Sequence, residues 1–394
     1  MGIFSGIFST LKKEELVLVF DVGSSSTGGA LFYIQKSGVP KIIFSVREPI
    51  LLEKDIDADR FLSLTTKSLE IISAKISKSG FGMPKKIFCV LSSPWYASQT
   101  RTINMQKNAP FVFNTKLADS LIDKEISLFE EQHLQKYMDS KDKIVAIELK
   151  NMKTMLNGYA TDNPYNQKAT ELQMVMFISM SGEQVLEKIK EVVCKNLNCQ
   201  HIKFSSFAMA SYTVARDMFA HHEDFVLIDI GGEVTDVSII KKDILTSSTS
   251  FPVGPNYIIR GVASELNTSL EEAKSLLSLY KDGHAEEAIE NKLEPIIAKL
   301  KKEWLQKFQA SLMVISNDIS IPSTIFVSVD KEMAGFFGET IKSDQLNQYT
   351  LTESNFQIIF LNAEVLHSAA NFNPDVARDP FLIIESIYIN RFLC

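Results

Sequence analysis

Leu16-Val17-Leu18-Val19-Phe20-Asp21-Val22-Gly23-Ser24-Ser25-Ser26 is the stretch on which the reading of this chain turns. An unbroken apolar run of strand length meets an aspartate and then dissolves into a glycine and serine turn, the signature of a buried strand whose end reaches a polar site. Residues 30–35 and 41–46 read as two more strands around the turn Ser37-Gly38-Val39-Pro40, and 59–78 as a helix. The pattern returns 208 residues later, from 21 to 229. Phe225-Val226-Leu227-Ile228 runs into Asp229, then Gly231-Gly232, with strand patterns at 235–241 and 244–250. At that offset Gly23 falls on Gly231 and Leu31 on Ile239. A strand, an acidic end and a glycine turn repeated in register predict two similar α/β domains facing one another across a cleft.

Between the copies, a strand at 85–92, a charged helix at 115–138, strands at 143–150 and 172–180 and a helix at 182–197 describe a separate α+β insert. Residues 151–171, with Asn-Gly and Asn-Pro signals, are expected to form a surface loop between two strands. Beyond the second copy, 269–280 and 285–314 read as helices, the latter with Leu293, Ile297, Leu300, Trp304 and Phe308 on one face, and 324–328 as a strand. The tail 379–394, opened by Asp379-Pro380, is expected to pack as the last helix of the second domain.

Composition narrows the function classes. The 394 residues are 45% apolar and 23% charged, with a net charge of −7, which describes a globular chain whose overall field does not favour a nucleic-acid backbone. Cys89, Cys194, Cys199 and Cys394 are too few and too scattered for a disulfide framework or a zinc cage, so a reducing cytoplasm is expected. No apolar run is long enough to span a bilayer. Ile3, Phe4, Ile7, Phe8 and Leu11 recur at helical spacing, with Lys12 and Lys13 behind them. That stripe suits either a short helix on an anionic membrane surface or a leader docked on its own domain.

The two turns carry the chemistry. Backbone N–H groups bared by glycine, with the hydroxyls of Ser24 and Ser25, suit a phosphate, and two such turns clamp a polyphosphate from both sides. Asp21 and Asp229 then stand where a hydrated magnesium would bridge the phosphates.

These residues resemble the actin, Hsp70 and sugar-kinase superfamily of ribonuclease H-like ATPases, whose two phosphate motifs look like 21–31 (DVGSSSTGGAL) and 229–239 (DIGGEVTDVSI). Within it the chain is most similar to the branch containing cell-division protein FtsA and pilus-assembly protein PilM, which carries an SHS2-type subdomain in its first domain. The resemblance implies an α/β actin-like fold of two duplicated domains around a nucleotide cleft, plus that insert. The expected plan is an amphipathic segment at 1–13, a first domain at 14–84 and 186–224, the insert at 85–185, a second domain at 225–262 and 315–394, and a helical subdomain at 263–314. It implies ATP and magnesium as ligands, held by Gly23, Ser24, Ser25, Gly231, Gly232, Thr235 and Lys274, with Asp21 and Asp229 as the catalytic pair, reaching magnesium through water.

Three departures limit what the resemblance implies. The family's lysine after the first turn is absent, the candidate positions being Ser26 and Gly28; Glu233 replaces a glycine of the second; Val329 and Asp330 stand where two glycines seat the adenosine. The expectation is an actin-like assembly protein of the FtsA class, at most a slow ATPase. It would recruit division partners through its insert at the cytoplasmic membrane face, with self-association into filaments as a further expectation and no nucleic acid. The alternatives are a PilM-like adaptor that grips the tail of a pilus or secretion-system membrane protein, a pseudo-ATPase scaffold and a small-molecule kinase.

Overall fold

The computed structural model describes residues 15–136, 143–316, 321–342 and 356–394. Among them, β1 (Leu16–Val22), β2 (Ser26–Tyr33), β3 (Lys41–Pro49), α1 (Ala58–Ser77) and β4 (Lys86–Leu91) build the first half. The insert follows as β5 (Ala97–Val112), α2 (Thr115–Lys136), β6 (Ile144–Leu156), β7 (Tyr159–Ala160) and β8 (Lys168–Gly182). The chain then returns through α3 (Glu183–Leu197), β9 (Lys203–Ser206) and α4 (Phe207–Met218). The second half comprises β10 (Phe225–Ile230), β11 (Thr235–Lys241), β12 (Ile244–Phe251), α5 (Pro255–Leu266), α6 (Leu270–Lys281), α7 (Glu287–Ser316), β13 (Thr324–Val329), α8 (Ala334–Lys342) and β14 (Gln357–Phe360). Last come β15 (Asn371–Phe372) and α9 (Pro380–Tyr388).

The duplication extends to topology. The first sheet has the order β15-β3-β2-β1-β4-β9 and the second β12-β11-β10-β13-β14, so each is an antiparallel meander joined to parallel strands in the same succession. Asp21 pairs with Gly28 across β1–β2, and Asp229 with Asp236 across β10–β11, the same step of each ladder. β1 and β10 are buried along their whole length, as central strands covered on both faces must be.

The insert is a four-stranded sheet, β5-β8-β6-β7, with Ile103, Met174, Met176 and Ile178 packed with Phe113 and Phe129 in a core of their own. It leans on both halves. Glu148 on β6, buried, accepts hydrogen bonds from the Ser206 amide and hydroxyl at 3.1 and 2.8 Å and from the Tyr388 hydroxyl, while β5 lies beside β12.

Five expectations need correction. The strand expected at 85–92 as part of the insert belongs to the first sheet, where β4 pairs in parallel with β1 and β9. Residues 151–171 are not one loop: β6 runs to Leu156 and pairs with β8, with a tight turn at Asn157 and Gly158, both at positive φ. β5 escapes sequence reading because its 16 residues are mostly polar, include Pro110, and form a sheet edge with a shift of register between Gln106 and Phe111. The tail packs on the first half: α9 buries Leu382, Ile383, Ile384 and Ile387 in the first core, against β1 and α4. An apolar helix alone does not disclose which sheet it covers. Finally, Cys194 and Cys199 form a disulfide, brought to a Cα separation of 4.6 Å by the left-handed turn at Asn198. The stripe of Ile3, Phe4, Ile7, Phe8 and Leu11 lies outside the described residues. No described helix is long and apolar enough to cross a membrane.

Candidate functional site

Both turns close in the same way: the Gly23 amide donates to the Ser26 carbonyl at 3.2 Å, and the Gly231 amide to the Val234 carbonyl at 3.0 Å. They face one another, and they touch. The Glu233 amide donates to Ser24 Oγ at 3.1 Å, a buried bond between the halves. A Cβ on Gly232 would stand 2.8 Å from the Ser25 amide nitrogen, so only glycine permits this approach. Two more bonds cross the cleft: Ser25 Oγ to Asp330 Oδ2 at 3.4 Å and Ser93 Oγ to Asp236 Oδ1 at 2.9 Å. Trp95 stacks on Phe61 and donates its indole N–H to the Gly23 carbonyl, fixing the first turn from behind.

The predicted residues divide. Asp21, Gly23, Ser24, Ser25, Gly231 and Gly232 come together. Thr235 turns into the second core, where its hydroxyl donates to the Val253 carbonyl at 2.7 Å and accepts from Trp304. Lys274 is exposed on α6.

Charge in the cleft is held by residues that no local motif discloses. Arg47 on β3 donates Nη2 to Asp21 Oδ2 at 2.7 Å and to Asp379 Oδ1 at 3.0 Å, Nε to Asp379 Oδ2, and Nη1 to Ser26 Oγ at 2.9 Å. Arg260 on α5 grips Glu233 through both nitrogens at 2.7 and 2.8 Å and donates Nε to the Glu53 carbonyl. Glu233 therefore points away from the opposite turn, and Asn256 also donates to it.

Burial raises the Asp21 carboxyl, with Arg47 opposing the shift. It lifts Asp229 well above the usual carboxylate range, helped by the charges of Asp236 and Asp21, and pushes Asp236 up to about 7. Asp330 is raised by burial while Arg47 draws it back. Arg47 draws down Asp21 and Asp330, while among the described residues no cation offsets the burial of Asp229, which raises its proton affinity.

ATP with magnesium does not fit between the turns as they stand. The turns are in contact, Arg47 occupies an oxygen of Asp21, and Asp330, at a position where the resembled family has a glycine, bonds Ser25 across the cleft. Among the described residues no group of three His, Cys, Asp or Glu side chains is placed to hold a metal ion. A cavity beside the turns, lined by Ser24, Phe61, Leu64, Glu233, Asn256 and Arg260, measures about 10 Å³, room for one water.

Two duplicated α/β halves with their acidic turns apposed, plus an insert in the first, define the actin-like ATPase fold. Residues 226–367 match the family model of cell division protein FtsA. Among solved structures, the chain is similar to one of the PilM-PilN type IV pilus biogenesis complex, with a TM-score of 0.59 and 13% identity over 95% of this chain and 97% of that chain. It also matches a Bacteroides thetaiotaomicron protein of actin-like ATPase fold and unknown function (TM-score 0.38, 10% identity, 93% and 96% covered). Ethanolamine utilization protein EutJ from Carboxydothermus hydrogenoformans matches at a TM-score of 0.41 and 12% identity, with 86% and 83% covered. No curated protein matches the sequence significantly.

Proposed function

We propose that this chain is an actin-like assembly protein that works as a scaffold, carrying a protein partner on its insert. The observation that carries the reading is the closure of the cleft by the chain's own groups: Ser24 on Glu233, Ser25 on Asp330 and Ser93 on Asp236. ATP and magnesium, the usual ligands of this fold, are then not required for the compact state.

The full-length likeness to PilM favours a pilus-type or secretion-type adaptor over a division protein, since the FtsA match is confined to the second half and α9 and β15 lie outside it. Cross-linking through residues placed on β5 and β7 of the insert, in the cells that make the protein, tests this. A pilus or secretion component recovered at those positions is the expected result. A division-ring component would move the assignment to the FtsA class, and cross-links confined to the two halves would sink the insert as the docking element.

The stripe Ile3, Phe4, Ile7, Phe8 and Leu11 supports peripheral attachment to the inner membrane face. The full chain is expected to sediment with vesicles rich in anionic lipid, and Phe4→Glu with Phe8→Glu to abolish this. Equal sedimentation of both proteins would assign the stripe to the protein's own surface.

A further inference from the structure

We propose that Arg47 is a built-in counter-ion of the cleft, taking the place that the resembled family gives to a lysine after the first turn and to the cation beside its aspartate. The proposal rests on the nucleotide-independent reading above and deepens it by naming what substitutes for the ligand.

The ladder explains how a residue outside the motif comes to serve it. Gly28, one of the two positions where the lysine is missing, pairs with Arg47 across β2–β3. A Cβ on Gly28 would stand 3.0 Å from Arg47 Nη2, so the absent side chain leaves the space that the guanidinium enters. A cation that would come from β2 comes instead from the neighbouring strand.

Once there, each of the three nitrogens of Arg47 finds an acceptor. Its planar fork binds Asp21 on one edge and Asp379 on the other, and its remaining nitrogen donates to Ser26. Asp379 is fixed in turn, because its Oδ1 accepts from the amides of Phe381 and Leu382 as the N-cap of α9. Arg47 also attracts Asp330, the residue of the second half that meets Ser25 across the cleft. A magnesium ion taking Asp21 would have to break a partly buried, hydrogen-bonded ion pair and leave a guanidinium behind.

The test is a set of thermal melts of the full chain in EDTA, in millimolar magnesium chloride and in magnesium with ATP. Wild type is expected to melt at one temperature in all three. Arg47→Met is expected to melt about 5–10 °C lower in EDTA, because the buried Asp21 and the half-buried Asp379 lose their partner, and to recover most of that loss in magnesium alone. Arg47→Lys, which keeps the charge but not the fork, is expected to fall between them and guards against a methionine variant that fails to fold. Wild type that ignores all additions, with both variants blind to magnesium, would overturn the counter-ion and leave the scaffold standing. Wild type stabilised by magnesium with ATP, and Arg47→Met losing that response, would overturn both by making Arg47 a phosphate ligand.

Discussion

Asp236→Asn is expected to stabilise the protein at pH 8 by up to about 4 kcal/mol, and to leave it unchanged near pH 4. Asp236 is half-buried without a cation of its own, and loss of hydration raises its carboxyl from an ordinary 3.8 to about 7. A carboxyl raised in the folded state binds more protons there than in the unfolded chain between those two values. Its contribution is complete below about 3.8 and is lost as pH rises through about 7, so wild type weakens across that window and is flat above it. Asparagine keeps an oxygen for the Ser93 hydroxyl and carries no charge to bury. Denaturant melts of both proteins from pH 4 to 9 check this, and parallel curves across the range would refute the assignment.

Arg260→Ala is expected to cost about 3–5 kcal/mol, because it strands the buried Glu233 carboxylate with Asn256 as its remaining side-chain partner. The bond to the Glu53 carbonyl is lost as well. The sharper measurement is a double-mutant cycle. Glu233→Gly restores the glycine of the related motif, and adding it to Arg260→Ala removes both charges together, so much of the loss should return. Strictly additive effects would mean that the two side chains do not depend on each other, contrary to the bidentate geometry.

The turns were legible because their information is local and doubled. Asp21 with Gly23 and Asp229 with Gly231 sit in the same order at strand ends, and each strand is apolar throughout, so burial follows from composition alone. The counter-charges were not legible. Arg47, Arg260 and Asp379 reach the turns from another strand, a following helix and the far end of the chain, and nothing in their neighbours' spacing marks them out. Glycine offered a partial clue: Gly28 carries no side chain at one of the two positions where the resembled family has a lysine, which is a reason to search the paired strand for its replacement. β5 shows the opposite failure, since a polar edge strand has no periodicity to read and owes its pairing to β8.

The return of the chain to its first sheet has a consequence for biosynthesis. Ile383, Ile384, Ile387 and Ile389 belong to the same core as Val17, Val19 and Phe32, and Asn371 pairs with Lys41. A nascent chain that has delivered the insert and the whole second half still lacks the helix that covers β1. The first sheet is therefore the last to be covered although its strands β1 to β4 are made first, because residues 380–389 follow both later units in the chain.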